Sequence, residues 1–412
     1  MKIGFLMQAG LQGFRQPPYS GPATHVREVI IELGKLGHQV RLLAGWDGKI
    51  WKSDDLEHYQ PVAVRGLDQG LLKTLESAIR RMQYELQLPY LALFESLRFA
   101  QACRQELQGF DLLYERIGWM AYGSGIASRW LKLPLVLEEN GNHLTVMETL
   151  GIAPQGLRRK IAIWIMNRAV EQADRIVASG EGWRDHFIER WGVQPERVIT
   201  IENGTILTRL LTRDQLQAFQ TDVSLGKPLT LVYLGGFYPW HGVLVLLAAL
   251  AEAIRLGANA RLIMIGAGTS EEEARNLVDE LNLGQWVTFT GSLTPAEFSP
   301  ILACADVGLS PYCGWVEFSG LKIFDYKAAG LPVIASGKDG RPAAVQHGQT
   351  GWIVPPCDEK ALSEAIIRLS SDRELVRRMG QQARMEAESR HDWRHTAQKL
   401  DQLFRELAAN EP

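Results

Sequence analysis

Twice along this chain an apolar run that closes on small residues leads into an amphipathic helix and then into a second apolar run. That order leaves few folds open. The first instance is KIGFLM (2–7), the helical pattern GPATHVREVIIELGK and, past Gly37, HQVRLLA. The second is LTLVYLGG (229–236), HGVLVLLAALAEAIRLG and ARLIMIGAG. A strand, a crossover helix and a neighbouring strand make a βαβ unit, and each unit starts a parallel sheet.

The first sheet continues through DLLYERI (111–117), LPLVLEEN (133–140) and DRIVAS (174–179), each preceded by helical sequence. The second takes in WVTFTG, ADVGLSPY, LPVIAS and TGWIVP, with helical stretches at 295–304 and 319–329. At 412 residues the chain exceeds one ordinary core. The expected class is therefore α/β, with two Rossmann-like parallel-sheet domains facing across a cleft. Residues 1–212 form the first domain and 213–228, polar and containing Gly226 and Pro228, the linker. Residues 229–385 form the second domain, and 386–412 supply a charged C-terminal helix that returns to the first. Open α/β sheets take ligands beyond the carboxyl ends of their strands, so function is sought in the loops there.

Hydrophobic residues make up 46% and charged residues 22%, an ordinary globular balance. A formal net charge of −3 supplies no basic field for nucleic acid, and no apolar run is long enough to span a bilayer. A cytoplasmic protein is expected, with peripheral contact at the inner face of the membrane. That contact would use QGLRRKIAIWIMNRAV, although a core or interdomain helix is the favoured reading of the segment. Cys103, Cys304, Cys313 and Cys357 form no CxxC pair and read as small buried hydrophobes, with no metal site or disulfide framework.

The segment with most chemistry is VEFSGLKIFDYKAAGLPVIAS, in which Glu317 and Asp325 lie eight positions apart around a helix expected to open near Ser319. Ser319, Gly320 and Leu321 would turn unpaired N–H groups and a positive dipole end toward a diphosphate. Glu317 would accept hydrogen bonds from sugar hydroxyls and Asp325 from a ribose. Taken singly, such a carboxylate pair is read first as solvated surface charge, and it is the surrounding segment that favours the site.

This segment resembles the Glu-x7-Glu signature of the retaining glycosyltransferases of family 4. The resemblance extends to VITIENGTI, to LGGFYPWHG and to RHDW near the end. It implies a GT-B fold, retention of anomeric configuration and no bound metal. A nucleotide-diphosphate sugar, UDP- or GDP-linked, would be substrate rather than cofactor, the acceptor would be a saccharide or lipid-linked, and the setting would be glycan or glycoconjugate synthesis. The family's Arg and Lys after the first donor-domain strand are matched here by Phe237 and His241, which leaves Lys322 as the preferred diphosphate cation and His241 second. Gly235 and Gly236 would admit the donor against the backbone, and Gly266 would lie near the base.

On the acceptor side, the family's catalytic histidine is matched by Asn140. His143, Gly21 and His25 lie close in sequence to the acceptor loops, and Glu139 would position or deprotonate an acceptor hydroxyl. A nucleotide-sugar epimerase of the same fold and an inactive nucleotide-sugar-binding subunit are the alternatives.

Overall fold

A computed structural model describes residues 1–11, 13–17, 19–64, 71–85, 92–139, 144, 147–148, 151–220, 227–313, 320–338 and 342–409. The chain divides into two compact units. The first comprises Met1–Gln16, Pro22–Ile201 and Ala397–Pro412, the second Pro17–Gly21 and Glu202–Thr396.

The first unit holds an eight-stranded sheet in the order β4-β3-β2-β1-β5-β6-β7-β8. Its strands are β1 (Lys2–Met7), β2 (Gln39–Trp46), β3 (Lys49–Ser53), β4 (Gln60–Val62), β5 (Leu112–Arg116), β6 (Leu135–Glu139), β7 (Arg175–Ala178) and β8 (Val198–Thr200). Every pairing is parallel except β2 with β3 and β3 with β4. The antiparallel pair and β8 lie outside the βαβ pattern expected from sequence. Short, half-exposed strands such as KIWKS carry too few apolar residues to announce themselves.

The second unit holds a six-stranded, wholly parallel sheet in the order β11-β10-β9-β12-β13-β14. These strands are β9 (Leu229–Leu234), β10 (Ala260–Ile265), β11 (Val287–Gly291), β12 (Val307–Ser310), β13 (Val333–Ser336) and β14 (Gly351–Val354). Strands buried on both faces are continuously apolar, which is why LTLVYL and VGLS stood out in the sequence. The apolar helix Val243–Arg255 packs Leu246, Leu247 and Leu250 onto this sheet.

Three features differ from the sequence reading. Residues 213–220 lie in the stretch taken as linker, yet Arg213–Gln220 is helical and buries Leu216. The helix expected near Ser319 begins at Leu321, because Gly320 takes φ 65°, outside the helical region. Cys313 and Cys357 form a disulfide and Cys304 is exposed, so only Cys103 behaves as the buried hydrophobe expected of all four. A separation of 44 residues carries no sequence signature of pairing. Among the described residues no helix is long and apolar enough to cross a membrane.

Candidate active site

In the second sheet the chain runs outward from β9 through β10 to β11, then returns to the other side of β9 for β12, β13 and β14. The switch point therefore lies between β9 and β12, and a ligand crevice is expected at the carboxyl ends of those two strands. The helix Leu321–Ala328 is anchored there by Tyr326. Its hydroxyl accepts from Leu234 N at 2.6 Å and donates to Leu309 O at 3.0 Å, so one side chain ties the helix to both switch-point strands. Gly308 is required beneath it, since a Cβ there would lie 2.3 Å from the Tyr326 ring.

Lys322, in the first turn, is buried. Its Nζ lies 4.9 Å from the ring centre of Tyr233 and 5.0 Å from that of Tyr312. A cation at a helix N-terminus opposes the dipole, and two aromatic faces offset that cost. A Cβ on Gly235, the residue that follows β9 with φ 145°, would come within 3.3 Å of the Lys322 Nζ. The cation thus faces the loop that follows β9.

His241 lies in the same loop. Its Nδ1 donates to Gly236 O at 2.6 Å, which leaves Nε2 as an acceptor. Burial, and then the charge of Lys322, push its pKa down to about 3. A neutral His241 holds the loop in shape through its bond to Gly236 O, the supporting role weighed from the sequence beside donation to phosphate. Phe237 is wholly buried in the core of the second unit, so its position supplies packing and no charge.

The glycines at this end serve close backbone packing. A Cβ on Gly266 would lie 1.9 Å from Gly235 O, and one on Gly236 would lie 2.4 Å from the Tyr238 ring. The approach of donor to backbone expected of Gly235, Gly236 and Gly266 is therefore not what demands glycine at Gly236 and Gly266.

Gly320 precedes the helix, and Leu321, half-buried, begins it. Asp325, one turn on, is no surface charge: it accepts from Thr205 Oγ1 at 2.6 Å, and burial pushes its pKa up to about 7. Thr205 belongs to the ENGTI motif, and its backbone N–H donates to His391 O at 2.7 Å. Asp392 in turn accepts from Thr208 Oγ1 at 2.6 Å and pairs with Arg209. A Cβ on Gly204 would lie 2.5 Å from Trp393 N. ENGTI, FDYKAAG and RHDW, scattered over the sequence, are one packed cluster behind the helix.

In the first unit, His25 is buried with its Nε2 2.9 and 3.0 Å from the two carboxylate oxygens of Glu138. Glu139, next on β6, is buried with its pKa pushed up to about 8, an effect that Arg116 of β5 partly offsets. Burial thus favours the neutral form of Glu139, the residue expected from sequence to position or deprotonate an acceptor hydroxyl. Nearby Glu115 is likewise raised to about 8 by burial and accepts from Ser124 Oγ. Gly21 opens the helix Gly21–Lys35 and is exposed. Glu317, Ser319, Asn140 and His143 lie outside the described residues.

Of the predicted residues the structure brings together Lys322, Gly235 and His241, with Gly266 against Gly235. Tyr233 and Tyr312, which flank Lys322, were not anticipated. Each reads as an ordinary core aromatic near a strand end, and only their shared approach to one cation marks them.

Residues 20–204 match the family model described as glycosyl transferase 4-like domain, and residues 215–386 match that of glycosyl transferases group 1. The D-inositol 3-phosphate glycosyltransferase of Nocardia farcinica is 28% identical over 73% of this chain and 68% of its own. Among solved structures, sucrose-phosphate synthase from Thermosynechococcus elongatus superposes with a TM-score of 0.69 at 21% identity over 100% of both chains. Anabaena HepE, solved with UDP and glucose, gives a TM-score of 0.68 at 20% identity over 98% of this chain and 99% of its own. The fold is thus GT-B, and the chain belongs to the group 1, family 4 glycosyltransferases.

Proposed function

We propose that this enzyme transfers a sugar from a nucleotide-diphosphate sugar to an acceptor hydroxyl, with retention and without a bound metal. The observation that carries the reading is Lys322, a buried cation at the switch point, held against the Gly235 loop where the family's basic pair is missing. In a retaining transfer the growing charge on the leaving diphosphate must be stabilised, and Lys322 with the N–H groups of Ser319, Gly320 and Leu321 would do so. Glu317 would hold the donor sugar, Asp325 the ribose and the Gly266 end of β10 the base. UDP- and GDP-sugars are the leading donors.

The first domain would bring the acceptor hydroxyl, with Gly21, His25, Glu139, Asn140 and His143 as the residues to test. A pKa raised toward neutrality suits Glu139 to position the acceptor hydroxyl and take up its proton as the new glycosidic bond forms. The acceptor is a saccharide or lipid-linked saccharide, and the enzyme contacts a membrane surface peripherally, as expected in glycoconjugate synthesis.

Thermal shift and nucleotide release are measured with UDP-, GDP- and ADP-sugars in EDTA. Stabilisation by one donor class, with slow nucleotide release that Glu317→Gln abolishes, is the expected result. Donor conversion with no acceptor would instead indicate epimerase chemistry, and binding without turnover over a broad acceptor panel an inactive subunit.

A further inference from the structure

The helix Gly156–Glu171 is apolar on two sides. One side, carrying Ala162, Ile165, Met166 and Ala169, is buried in the first unit, and Met120 N approaches Met166 Sδ at 3.2 Å. At 100° per residue, Ile161, at the edge between the two, packs against the Ala162 and Ile165 cluster, while Leu157 and Trp164 fall on the opposite side. There Leu157 is 69% and Trp164 60% exposed, and Ile152 just ahead of the helix is 66% exposed. Large apolar side chains on a helix are ordinarily turned into a core, and these are not. The sequence reading as a core helix therefore holds for one face only.

Basic side chains frame the exposed apolar face. Lys160 is exposed beside it, Arg158 is exposed in the first turn, and the Arg168 guanidinium lies 5.9 Å from the Trp164 ring centre. Glu171, in ion pair with Arg168 at 3.0 Å, is the acidic group on the same side. Apolar side chains including an indole, bordered by cations on long aliphatic stems, match the boundary between acyl chains and anionic headgroups.

We infer that this face is the surface through which the enzyme docks on an anionic lipid bilayer, with Leu157 and Trp164 entering the headgroup boundary and Arg158, Lys160 and Arg168 meeting lipid phosphates. The inference deepens the peripheral-contact part of the functional reading and is independent of its donor chemistry.

The test is co-sedimentation of the full chain with vesicles of phosphatidylcholine alone and of phosphatidylcholine with phosphatidylglycerol, for the natural protein and for Leu157→Glu/Trp164→Glu. Preferential sedimentation with the anionic vesicles, weakened by salt, is expected, and the double variant should lower the partition coefficient roughly tenfold or more. Both positions are exposed, so the melting temperature and the shift produced by nucleotide sugar should be unchanged in the variant. That second readout separates a failure of this surface from a failure of the donor site. Absence of sedimentation with either vesicle, or binding undiminished in the double variant, overturns the proposal. A dimer in vesicle-free solution that the double variant dissociates also overturns it, by identifying a second copy of the chain as the occupant.

Discussion

Thr205 and Asp325, separated by 120 residues, meet through a hydrogen bond of 2.6 Å between hydroxyl and carboxyl group. The bond fixes the helix that carries Lys322, because Thr205 is itself held by His391 O and its Oγ1 accepts from Leu207 N at 2.9 Å. The ribose-contacting role proposed for Asp325 thus belongs to a residue whose position is set from behind. Thr205→Ala should lower stability by about 1–3 kcal/mol, the usual range for orphaning a buried polar partner. It should weaken donor binding more than Thr205→Ser does. Urea denaturation and donor titration of both variants check this, and equal behaviour of the two would detach the hydroxyl from the site.

A pH dependence follows from the same carboxyl group. Its folded pKa, about 7, lies above the ordinary value of 3.8, so the proton stabilises the folded state. That stability is fully present below about 3.8 and is lost as pH rises to about 7. Asp325→Asn has no such slope. The difference in melting temperature, variant minus natural protein, should therefore increase from pH 4 to 7 and level off above. A flat difference would mean that Asp325 is ionised throughout.

Lys322 gives the sharpest test of the chemistry. Lys322→Ala should reduce transfer by about 10²–10³-fold, the usual cost of removing a group that meets developing charge. Lys322→Met keeps most of the bulk between Tyr233 and Tyr312 and should lose activity to a similar degree at unchanged melting temperature. Full turnover by the Met variant would leave charge stabilisation to the backbone alone.

His241 contributes oppositely to Asp325. Its pKa is depressed to about 3, so the unfolded state binds the proton more readily, and stability is lost as pH falls from about 6.5 toward 3. His241→Gln should flatten that acid limb, as read by melting curves between pH 4 and 7. An unchanged limb would place its cause elsewhere.

The cysteines make a counting prediction. With Cys313 joined to Cys357, native protein should react rapidly at the exposed Cys304, and denatured, unreduced protein at Cys103 as well. Reduction should expose all four thiols and lower stability by about 2–4 kcal/mol. Four reactive thiols without reductant would remove the bridge.

The parallel sheets were legible because strands buried on both faces are written as unbroken apolar runs between helical segments. The switch-point glycines and the helix carrying Lys322 followed from the same grammar. Three-dimensional pairings were not legible. Nothing local to Thr205 announces Asp325, nothing near Cys313 announces Cys357, and the raised pKa of Glu139 depends on burial that PLVLEEN does not display. Phe237 illustrates the converse. Its side chain was matched to a family cation position, and its complete burial explains why no charge stands there.

The Cys313–Cys357 bond encloses Glu317, Lys322 and Asp325 in one covalent ring. A protease that cuts the chain once between these cysteines therefore opens the ring without releasing a fragment. The nicked enzyme would migrate as one species until it met a reductant, and residual transfer by that species would show how far the donor site depends on an unbroken backbone.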